Sequence, residues 1–326
     1  MTPVELSRTV LRAVRRAVDE GALSVAVPER VVVTVPGPGG CGDYATNVAL
    51  QLARPAGQPA HRVAEILRPH LVGEDGVGDV VVTGPGFINI SLRGAAEPVA
   101  ALVREIREQG PVYGHGDALA GQVVEVRVPY EARAEVVADA LVRIVAAQGG
   151  RVEIDHREPV NLRPVPAPED PAPLGPDAAR WALLHPAAHD RPRITADHLV
   201  QREGNPLFRV RYAHARTRAL GRNAARLGFE ADPGEVTDLD VRDLVTALAD
   251  HPRILTAAAT HRAPDRLARH LVTLADAVLP FLPAVLPRGE EKPSATHRAR
   301  LALAEAAGTV LAGGLSLLGI DAPDHL

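Results

Sequence analysis

The sequence predicts an α+β N-terminal domain with a small antiparallel sheet, a short α/β stub and an all-α helical-bundle C-terminal domain. Short β-branched runs alternate with helically spaced apolar residues over residues 1–110. A proline-rich change of texture follows Asp155, and apolar residues recur at three- and four-residue spacing from Asp177 onward. These patterns are typical of an α+β domain, a linker and a helical bundle. We therefore expect domains at 1–110, 111–176 and 177–326.

The spacing of apolar residues predicts the helices and strands of the first domain. Helical spacing marks a first helix, and two later ones start at Asp43 and at Pro59. Valine-rich and isoleucine-rich runs, separated by turn-forming glycine and proline, mark the strands. The predicted order is helix 4–18, strand 30–35, a helix from Asp43 through Leu52, a helix from Pro59, strands 79–84 and 87–92, and helix 95–109.

Residues 87–92 alternate between apolar and mixed character. Successive side chains of a strand point to opposite faces, so Ile88 and Ile90 share one face while Phe87 and Asn89 share the other. The isoleucine face is the expected core side. Phe87 is therefore expected to be an exposed aromatic, and the alternative is that Phe87 is a core residue and Asn89 a surface residue at a strand end.

The middle of the chain predicts one strand and one helix followed by a linker. Residues 122–128 read as a strand and 131–148 as a helix rich in Ala, Val and Ile. Seven prolines between Pro159 and Pro176 interrupt any periodic pattern, which predicts an extended segment. Beyond Asp177 the helices are separated by proline-containing breaks.

The amino-acid composition limits which ligands and which cellular compartment we expect for this protein. The formal charge is −4, so any nucleic-acid binding must depend on a local basic patch. Thirty-five of the 36 basic residues are arginine, because Lys292 is the one lysine. The single cysteine, Cys41, cannot form an internal disulfide. No charged-then-apolar leader opens the chain and the apolar runs fall short of the roughly 20 residues of a membrane span. We expect a cytoplasmic protein with no membrane partner.

A glycine-rich turn allows two interpretations. Gly37, Gly39 and Gly42 have the spacing of a dinucleotide-binding loop between a strand and a helix. Such a fold needs a second parallel strand about 20 residues later, but the stretch Pro59–Leu67 reads as helix. The favoured interpretation is a turn in which Asp43 caps the next helix. We expect no cofactor.

Common enzyme signatures do not occur in the sequence. It contains no HExxH, CxxC or Gly-x-Ser-x-Gly motif. His185 and His189 are four residues apart, but Pro186 interrupts the helix face that would join them. We therefore expect neither catalytic residues nor a metal site.

Two N-terminal segments resemble a known family. GDYATNVALQLA at 42–53 and GPGFINISL at 84–92 look like the N-terminal domain of arginyl-tRNA synthetases. That resemblance implies docking on the outer corner of tRNA, where an aromatic and an asparagine read a D-loop base. The matching residues are Phe87 and Asn89. An aromatic face can stack on an unpaired base while a carboxamide bonds its edge.

A second segment, residues 205–228, resembles the DALR-type anticodon-binding helical domain of the same family. The resemblance places Tyr212 and Arg216 against anticodon bases. The segment holds six arginines and no acidic residue, and helical spacing aligns several of them in one stripe. We expect that basic surface to bind the anticodon arm; the alternative is a solvated helix face in an arginine-rich protein. The arginines assigned to it are Arg209, Arg211, Arg216, Arg218 and Arg222, with Arg226 continuing the stripe.

Between these segments, residues 121–150 resemble the first strand and helix of the family's catalytic domain. The HIGH-type motif is replaced by YEARAEVVADAL, and a KMSKS-type loop has no lysine to build it. Several family aromatics are replaced too, at His270, Val272 and Val278. The resemblance implies a non-catalytic protein that binds tRNA, arginine tRNA in particular, in a regulatory role or presenting it to a tRNA-dependent enzyme. The alternatives are a protein-interaction module that reuses the former tRNA surfaces and an accessory subunit of an aminoacylation complex.

Overall fold

A computed structural model describes residues 3–34, 36, 41–74, 76–92, 96–236 and 239–326, and the side chains of 3–5, 92 and 96–98 are not considered. The chain divides into two compact units, Met1–Pro98 and Val99–Leu326. The first combines helices with a small antiparallel sheet, and the second is mainly helical. The predicted fold class is confirmed. The three-part division at residues 110 and 176 stays a prediction.

The first unit packs three helices on one face of a four-stranded antiparallel sheet. The strand order is β1-β2-β4-β3, so β4 is central and hydrogen-bonds to both β2 and β3. Valine and leucine side chains from the helices form one core with Ile88 and Ile90 of β4. The elements are α1 (Pro3–Asp19), β1 (Val33–Thr34), β2 (Tyr44–Thr46), α2 (Val48–Ala56), α3 (Ala60–Val72), β3 (Val77–Thr83) and β4 (Phe87–Leu92).

The helix predicted to start at Asp43 is wrong in its first turn. The Asp43 N–H donates to the carbonyl of Ile90, which draws the segment into the sheet as β2, and the helix begins only at Val48. Gly42 requires its glycine, since φ is +77° and a Cβ would lie 2.9 Å from the Ile90 carbonyl oxygen. Gly37 and Gly39 lie outside the described residues.

The second unit begins with a small parallel β-α-β element. Strand β5 (Val123–Arg127) pairs in parallel with β6 (Arg151–Asp155), and α5 (Ala132–Ala146) connects them. One side of α5 packs on the strands through Ala134 and Ala138, while another side contributes to the large helical core. The stub helix is therefore a structural member of the helical unit.

Six further helices complete the second unit. They pack around a core that includes the fully buried Trp181 and most of α10. A Cβ on Gly308 of α10 would lie 2.2 Å from the Thr217 hydroxyl on α7, so this glycine lets the two helices approach closely. The helices are α4 (Ala96–Gln109), α6 (Pro176–Leu184), α7 (Pro206–Arg226), α8 (Arg242–Thr260), α9 (Pro264–Val278) and α10 (Ala295–Leu318).

Two stretches are longer and more apolar than we expect from the sequence. Pro264–Ala284 and Ala295–Leu318 are long and apolar enough to cross a membrane by length and composition alone. Half of the first and two thirds of the second are buried inside the fold. Core helices of this length pass the same test. We assign both stretches to the core of the helical unit.

The proline-rich segment has the extended form that the sequence predicts. Residues 156–171 contain no helix or strand, and Ala172–Leu174 form one short 3-10 turn before α6. Asn161 fastens this segment to β5, where its N–H donates to the Arg127 carbonyl and its Oδ1 accepts from the Arg127 N–H. The segment therefore covers the free edge of β5.

A pair of buried histidines lies between α8 and α9. The rings of His251 and His270 have centroids 5.3 Å apart, and Tyr113 stacks on His251 with centroids 5.9 Å apart. Among the residues that the structure describes, neither His251 Nδ1 nor His270 Nε2 has a hydrogen-bond partner. Burial lowers the pKa of His251 to about 3 and that of His270 to about 4, with Asp250 acting in the opposite direction on His270.

These histidines predict a pH-dependent stability. An unfolded histidine titrates near pH 6.5. Below that pH, the unfolded state therefore binds protons at these two residues while the folded state leaves them neutral. Stability is full above about pH 6.5 and falls as pH drops toward 4. Replacing either residue with asparagine should reduce the slope of unfolding free energy against pH by up to about 1.4 kcal/mol per pH unit. Urea unfolding between pH 7.5 and 5, in steps of about half a unit, measures this slope; an unchanged slope in the His251→Asn/His270→Asn variant contradicts it.

Candidate nucleic-acid interface

The outer face of the sheet in the first unit carries an exposed aromatic. Phe87 begins β4 opposite Thr83 of β3 and is 42% exposed, while Ile88 and Ile90 are fully buried on the other face. The predicted exposure of Phe87 is therefore confirmed. The ring presents a face that an unpaired base could stack on.

Asn89 shares that face but is buried, with 2% exposure. Its Oδ1 accepts from the Cys41 N–H at 3.3 Å, and its Nδ2 donates to the Thr83 hydroxyl at 2.7 Å and the Val81 carbonyl at 3.2 Å. Because β4 is the central strand, neighbours on both sides enclose this side chain. Its carboxamide therefore ties the β3–β4 hairpin to the start of β2. A base-reading role for Asn89 stays a prediction.

In the second unit, α7 starts where Asn205-Pro206 predicts. The Asn205 Oδ1 accepts from the N–H groups of Leu207 and Phe208 at 3.1 and 3.4 Å, and Pro206 occupies the first helical position. The same side chain donates to the carbonyls of His198 and Val200. The cap therefore fixes both the start of the helix and the loop before it.

Three side chains on α7 form an aromatic and cationic row. Tyr212 is 37% exposed and stacks on Phe208 with ring centroids 5.4 Å apart. The Arg216 guanidinium carbon lies 5.9 Å from the Tyr212 ring centroid, within cation–π range. Over the part of the chain that the structure describes, Arg216 has no ion-pair or hydrogen-bond partner. Phe208, Tyr212 and Arg216, which we call the α7 row, lie four residues apart, so Phe208 could have been found from that spacing.

Beside this row lies a groove between α7 and the end of α9. It encloses about 540 Å³ and includes both aromatic rings. Arg209 lies in its wall and pairs with Asp276 at 3.4 Å. The groove therefore offers an apolar floor with charged sides, and Arg209 is already neutralised. Its lining residues are Glu203, Phe208, Arg209, Tyr212, Asp276, Leu279 and Pro280.

The predicted arginine stripe is largely occupied by the chain itself. Arg218 Nε donates to the Asp324 carboxylate at 3.0 Å, and Arg222 donates to the Asp324 carbonyl at 3.2 Å. Arg211 pairs with Asp177 and donates to the Asp321 carbonyl. These three arginines therefore anchor residues 321–325, which we call the C-terminal segment, against α7.

His214 also belongs to this anchor. It is buried, and its Nδ1 lies 3.1 Å from the Pro323 carbonyl oxygen, so a protonated Nδ1 donates to that carbonyl. Burial lowers the pKa of His214, which favours the neutral ring. Its role is packing and bonding, as the sequence suggests. Arg226 makes one hydrogen bond, to Asn223 at 3.4 Å.

The two histidines considered for a metal do not form a site in the described residues. His185 stacks on Trp181 with centroids 5.1 Å apart, whereas His189 is exposed and 3.8 Å from Asp190. Over the same parts of the chain, no group of three or more His, Cys, Asp or Glu side chains could hold a metal ion.

The carboxyl end of β5 leads into the segment where the resemblance predicts a replaced HIGH-type motif. Glu131 caps α5, with one carboxylate oxygen accepting from the Ala134 N–H and the other from the Ala167 N–H. Arg133 follows but is 1% exposed, and its guanidinium donates to five backbone carbonyls. The start of this helix therefore presents a carboxylate, and its nearest cation is turned inward. The carbonyls belong to Val165, Leu183, Pro186, Ala187 and Asp190.

The structural role of Asn89 predicts a difference between two neighbours on one face. Asn89→Ala leaves several buried polar groups without partners and should lower the unfolding free energy of the first unit by about 2–4 kcal/mol. Phe87→Ala removes an exposed ring and should cost less than about 1 kcal/mol. Urea denaturation of both variants measures this. Equal losses would contradict the structural assignment of Asn89.

Comparison with known proteins covers both ends of the chain. The family described as arginyl tRNA synthetase N terminal domain matches residues 5–92, and the DALR anticodon binding domain matches residues 210–326. The arginine–tRNA ligase of Frankia alni is 26% identical over an alignment of 558 residues that includes 100% of each chain. That of Renibacterium salmoninarum is 40% identical over 169 residues, 48% of this chain and 30% of that enzyme.

Solved structures agree at the level of the fold. Arginyl-tRNA synthetase from Thermus thermophilus aligns over 100% of both chains with a TM-score of 0.52 and 15% identity. The Plasmodium falciparum enzyme aligns over 99% of both, with a TM-score of 0.50 and 9% identity. With 326 residues, the chain is shorter than full-length enzymes of this kind. The chain therefore carries an arginyl-tRNA synthetase N-terminal domain and a DALR anticodon-binding domain, and its homologues include arginine–tRNA ligases.

Proposed function

We propose that this protein binds tRNA without charging it, that its ligand is arginine tRNA, and that it regulates or presents that tRNA. The observation that carries the proposal is the α7 row. It places two stacked rings beside Arg216, which has no ion-pair or hydrogen-bond partner in the described residues. Tyr212 and Arg216 lie within the region that matches the DALR domain, and Phe208 lies two residues before it. Unpaired anticodon bases could stack on such a surface.

Charge supports a local binding surface. The chain carries a formal charge of −4, so binding depends on the distribution of cations. Arg211 and Arg222 are engaged with the C-terminal segment, which leaves Arg216 as the arginine best placed to meet a base or phosphate. Arg218 is 57% exposed beyond its pair with Asp324 and can add to the field at the same helix.

Phe87 would supply the contact at the other end of the tRNA. Its ring is exposed on a sheet whose central strand is fixed by the Asn89 hydrogen bonds. A rigid support reduces the entropy lost when the ring stacks on a D-loop base. In this proposal Phe87 makes the contact, and Asn89 holds the strand that carries it.

Loss of charging activity rests on the chemistry of the residual catalytic position. Adenylate formation needs cations that stabilise the developing phosphate charge. Here the helix that follows β5 starts with the Glu131 carboxylate, and Arg133 is fully engaged with backbone carbonyls. A carboxylate in that place repels phosphate, whereas a free helix N-terminus would attract it. The one lysine, Lys292, lies far along the chain from this position.

Binding to labelled arginine tRNA tests the main proposal. Near 100 mM salt we expect saturable binding, with Tyr212→Ala weakening it about 5- to 150-fold through lost stacking. Arg216→Ala should weaken binding and lower the salt dependence by roughly one released counterion. Arg253→Ala is a matched control, because Arg253 is an exposed arginine of α8 paired with Asp250. Absence of saturable binding would sink the proposal, and equal affinity for unrelated tRNAs would remove the arginine-tRNA assignment.

A charging assay tests the non-catalytic part separately. With ATP, arginine and arginine tRNA, we expect no aminoacylated product above a protein-free control, because the helix after β5 starts with the Glu131 carboxylate and Arg133 is engaged with backbone carbonyls. Product formation at any enzyme-like rate contradicts this. Adding the protein to a full-length synthetase separates the accessory-subunit alternative, which predicts stimulation that Tyr212→Ala abolishes.

A protein-interaction module is the second candidate. The observation that favours it is the C-terminal segment, which already occupies much of the arginine stripe. In that case Phe87→Ala and Arg216→Ala leave tRNA affinity unchanged while a protein partner, such as a tRNA-dependent enzyme, is still retained. Under either function we propose the cytoplasm as the site of action, where tRNA is available.

A further inference from the structure

Strand β6 has an open edge. In the parallel pair, Arg151 N–H donates to the Gln122 carbonyl and Val128 N–H donates to the Asp155 carbonyl, so Arg151, Glu153 and Asp155 direct their backbone groups toward β5. The backbone groups of the alternate residues, Val152 and Ile154, therefore point away from the sheet. Over the described ranges, no other strand pairs with β6.

The two edges of the β5–β6 sheet differ in whether other residues cover them. Asn161 covers the outer edge of β5 through hydrogen bonds to Glu125 and Arg127. The edge of β6 has no such cover among the described residues, and Ile154 is 41% exposed beside it. Unprotected edges are templates for strand addition, and a two-stranded sheet gains stability when it is extended.

The side chains of β6 are self-complementary in an antiparallel pairing. Such a pairing, with Val152 opposite Ile154 of a second copy, uses the outward backbone groups and places Glu153 opposite its own counterpart. It also places Arg151 opposite the second copy's Asp155, twice by symmetry. Two opposite-charge contacts then outweigh one like-charge contact, and the apolar side chains meet on the other face.

Both charged residues also make contacts within their own chain. Arg151 lies 2.7 Å from Glu153 along the same strand, and Asp155 accepts from the His156 N–H and pairs with Arg157. Hydrogen bonds from Arg157 keep the pKa of the Asp155 carboxyl below its ordinary value, so the group is anionic at neutral pH. Opposite charges thus stand at the two ends of a five-residue strand.

We propose that two copies of this protein associate through antiparallel pairing of β6 with β6, giving a continuous four-stranded sheet across a two-fold axis. The contact is isologous, because the same edge serves both partners. Main-chain hydrogen bonds supply affinity, and the Arg151–Asp155 contacts fix the register. The interface is small, so the dimer is expected to be concentration-dependent.

Charge reversal tests the register. In sedimentation velocity over about 1–100 µM protein, Arg151→Asp and Asp155→Arg should each raise the dimer dissociation constant at least about tenfold, since both two-fold contacts become repulsive. The double variant R151D/D155R restores the opposite-charge contacts and should bring the constant back to within about threefold of the original. Arg151 is exposed and Asp155 is half-buried, so unchanged melting temperatures are needed to confirm that the variants fold. A monomer at every concentration, or a double variant as weak as the single ones, overturns the proposal.

A cross-linking experiment tests the contact directly. In a Cys41→Ser background, Glu153→Cys places two thiols across the axis at a Cα separation of about 4.5 Å, which a disulfide can span. Glu125→Cys is the matched control on the same open face of β5, because its counterpart would lie about three strand spacings, or 14 Å, away. We expect mild oxidation to give a covalent dimer for the first variant alone. Equal rates for both would rule out the β6 contact, and so would absence of cross-linking in both.

Discussion

The second unit depends on the way α5 buries two faces at once. A pair of parallel strands cannot form a core by itself, since parallel sheets are normally covered on both faces. Here Ala134 and Ala138 of α5 cover one face of the pair, and the far side of the helix, including Leu141 and Ile144, enters the helical core. The helix therefore attaches the two strands to the helical core of the second unit.

The other face of these strands is adapted to water. Glu125 pairs with Arg127 on β5, and Arg151 pairs with Glu153 on β6, so opposite charges alternate over the surface. In a complete nucleotide-binding fold this face would be apolar and covered by helices. The charged face fits a parallel sheet of two strands that no further strand extends in the described residues. Arg133, in the first turn of α5, is buried and donates to backbone carbonyls.

The sequence predicts most elements but not the partners of polar side chains. Ile88 and Ile90 reveal their face through alternation, because burial follows the two-residue period of a strand. Asn89 lies on the opposite face and is nevertheless buried, since it bonds to Val81 and Thr83 of β3 and to Cys41 just before β2. The helix start predicted at Asp43 is wrong for a similar reason. The Asp43 N–H donates to the carbonyl of Ile90, which lies far away in the sequence. Local patterns cannot reveal bonds made across the sheet.

Bonds to distant residues also separate two groups of arginines on α7: those that hold the C-terminal segment and those that are candidates for binding a ligand. Helical spacing places Arg211, Arg218 and Arg222 in one stripe, but spacing alone cannot show that a distant segment carrying Asp321 and Asp324 folds back onto them. An anchored arginine has already exchanged its hydration for protein contacts and gains less from a phosphate. Arg216 has made no such exchange within the described residues, and it faces an aromatic ring. In a protein whose cations are almost all arginine, the absence of a carboxylate partner is more informative about binding than the charge itself.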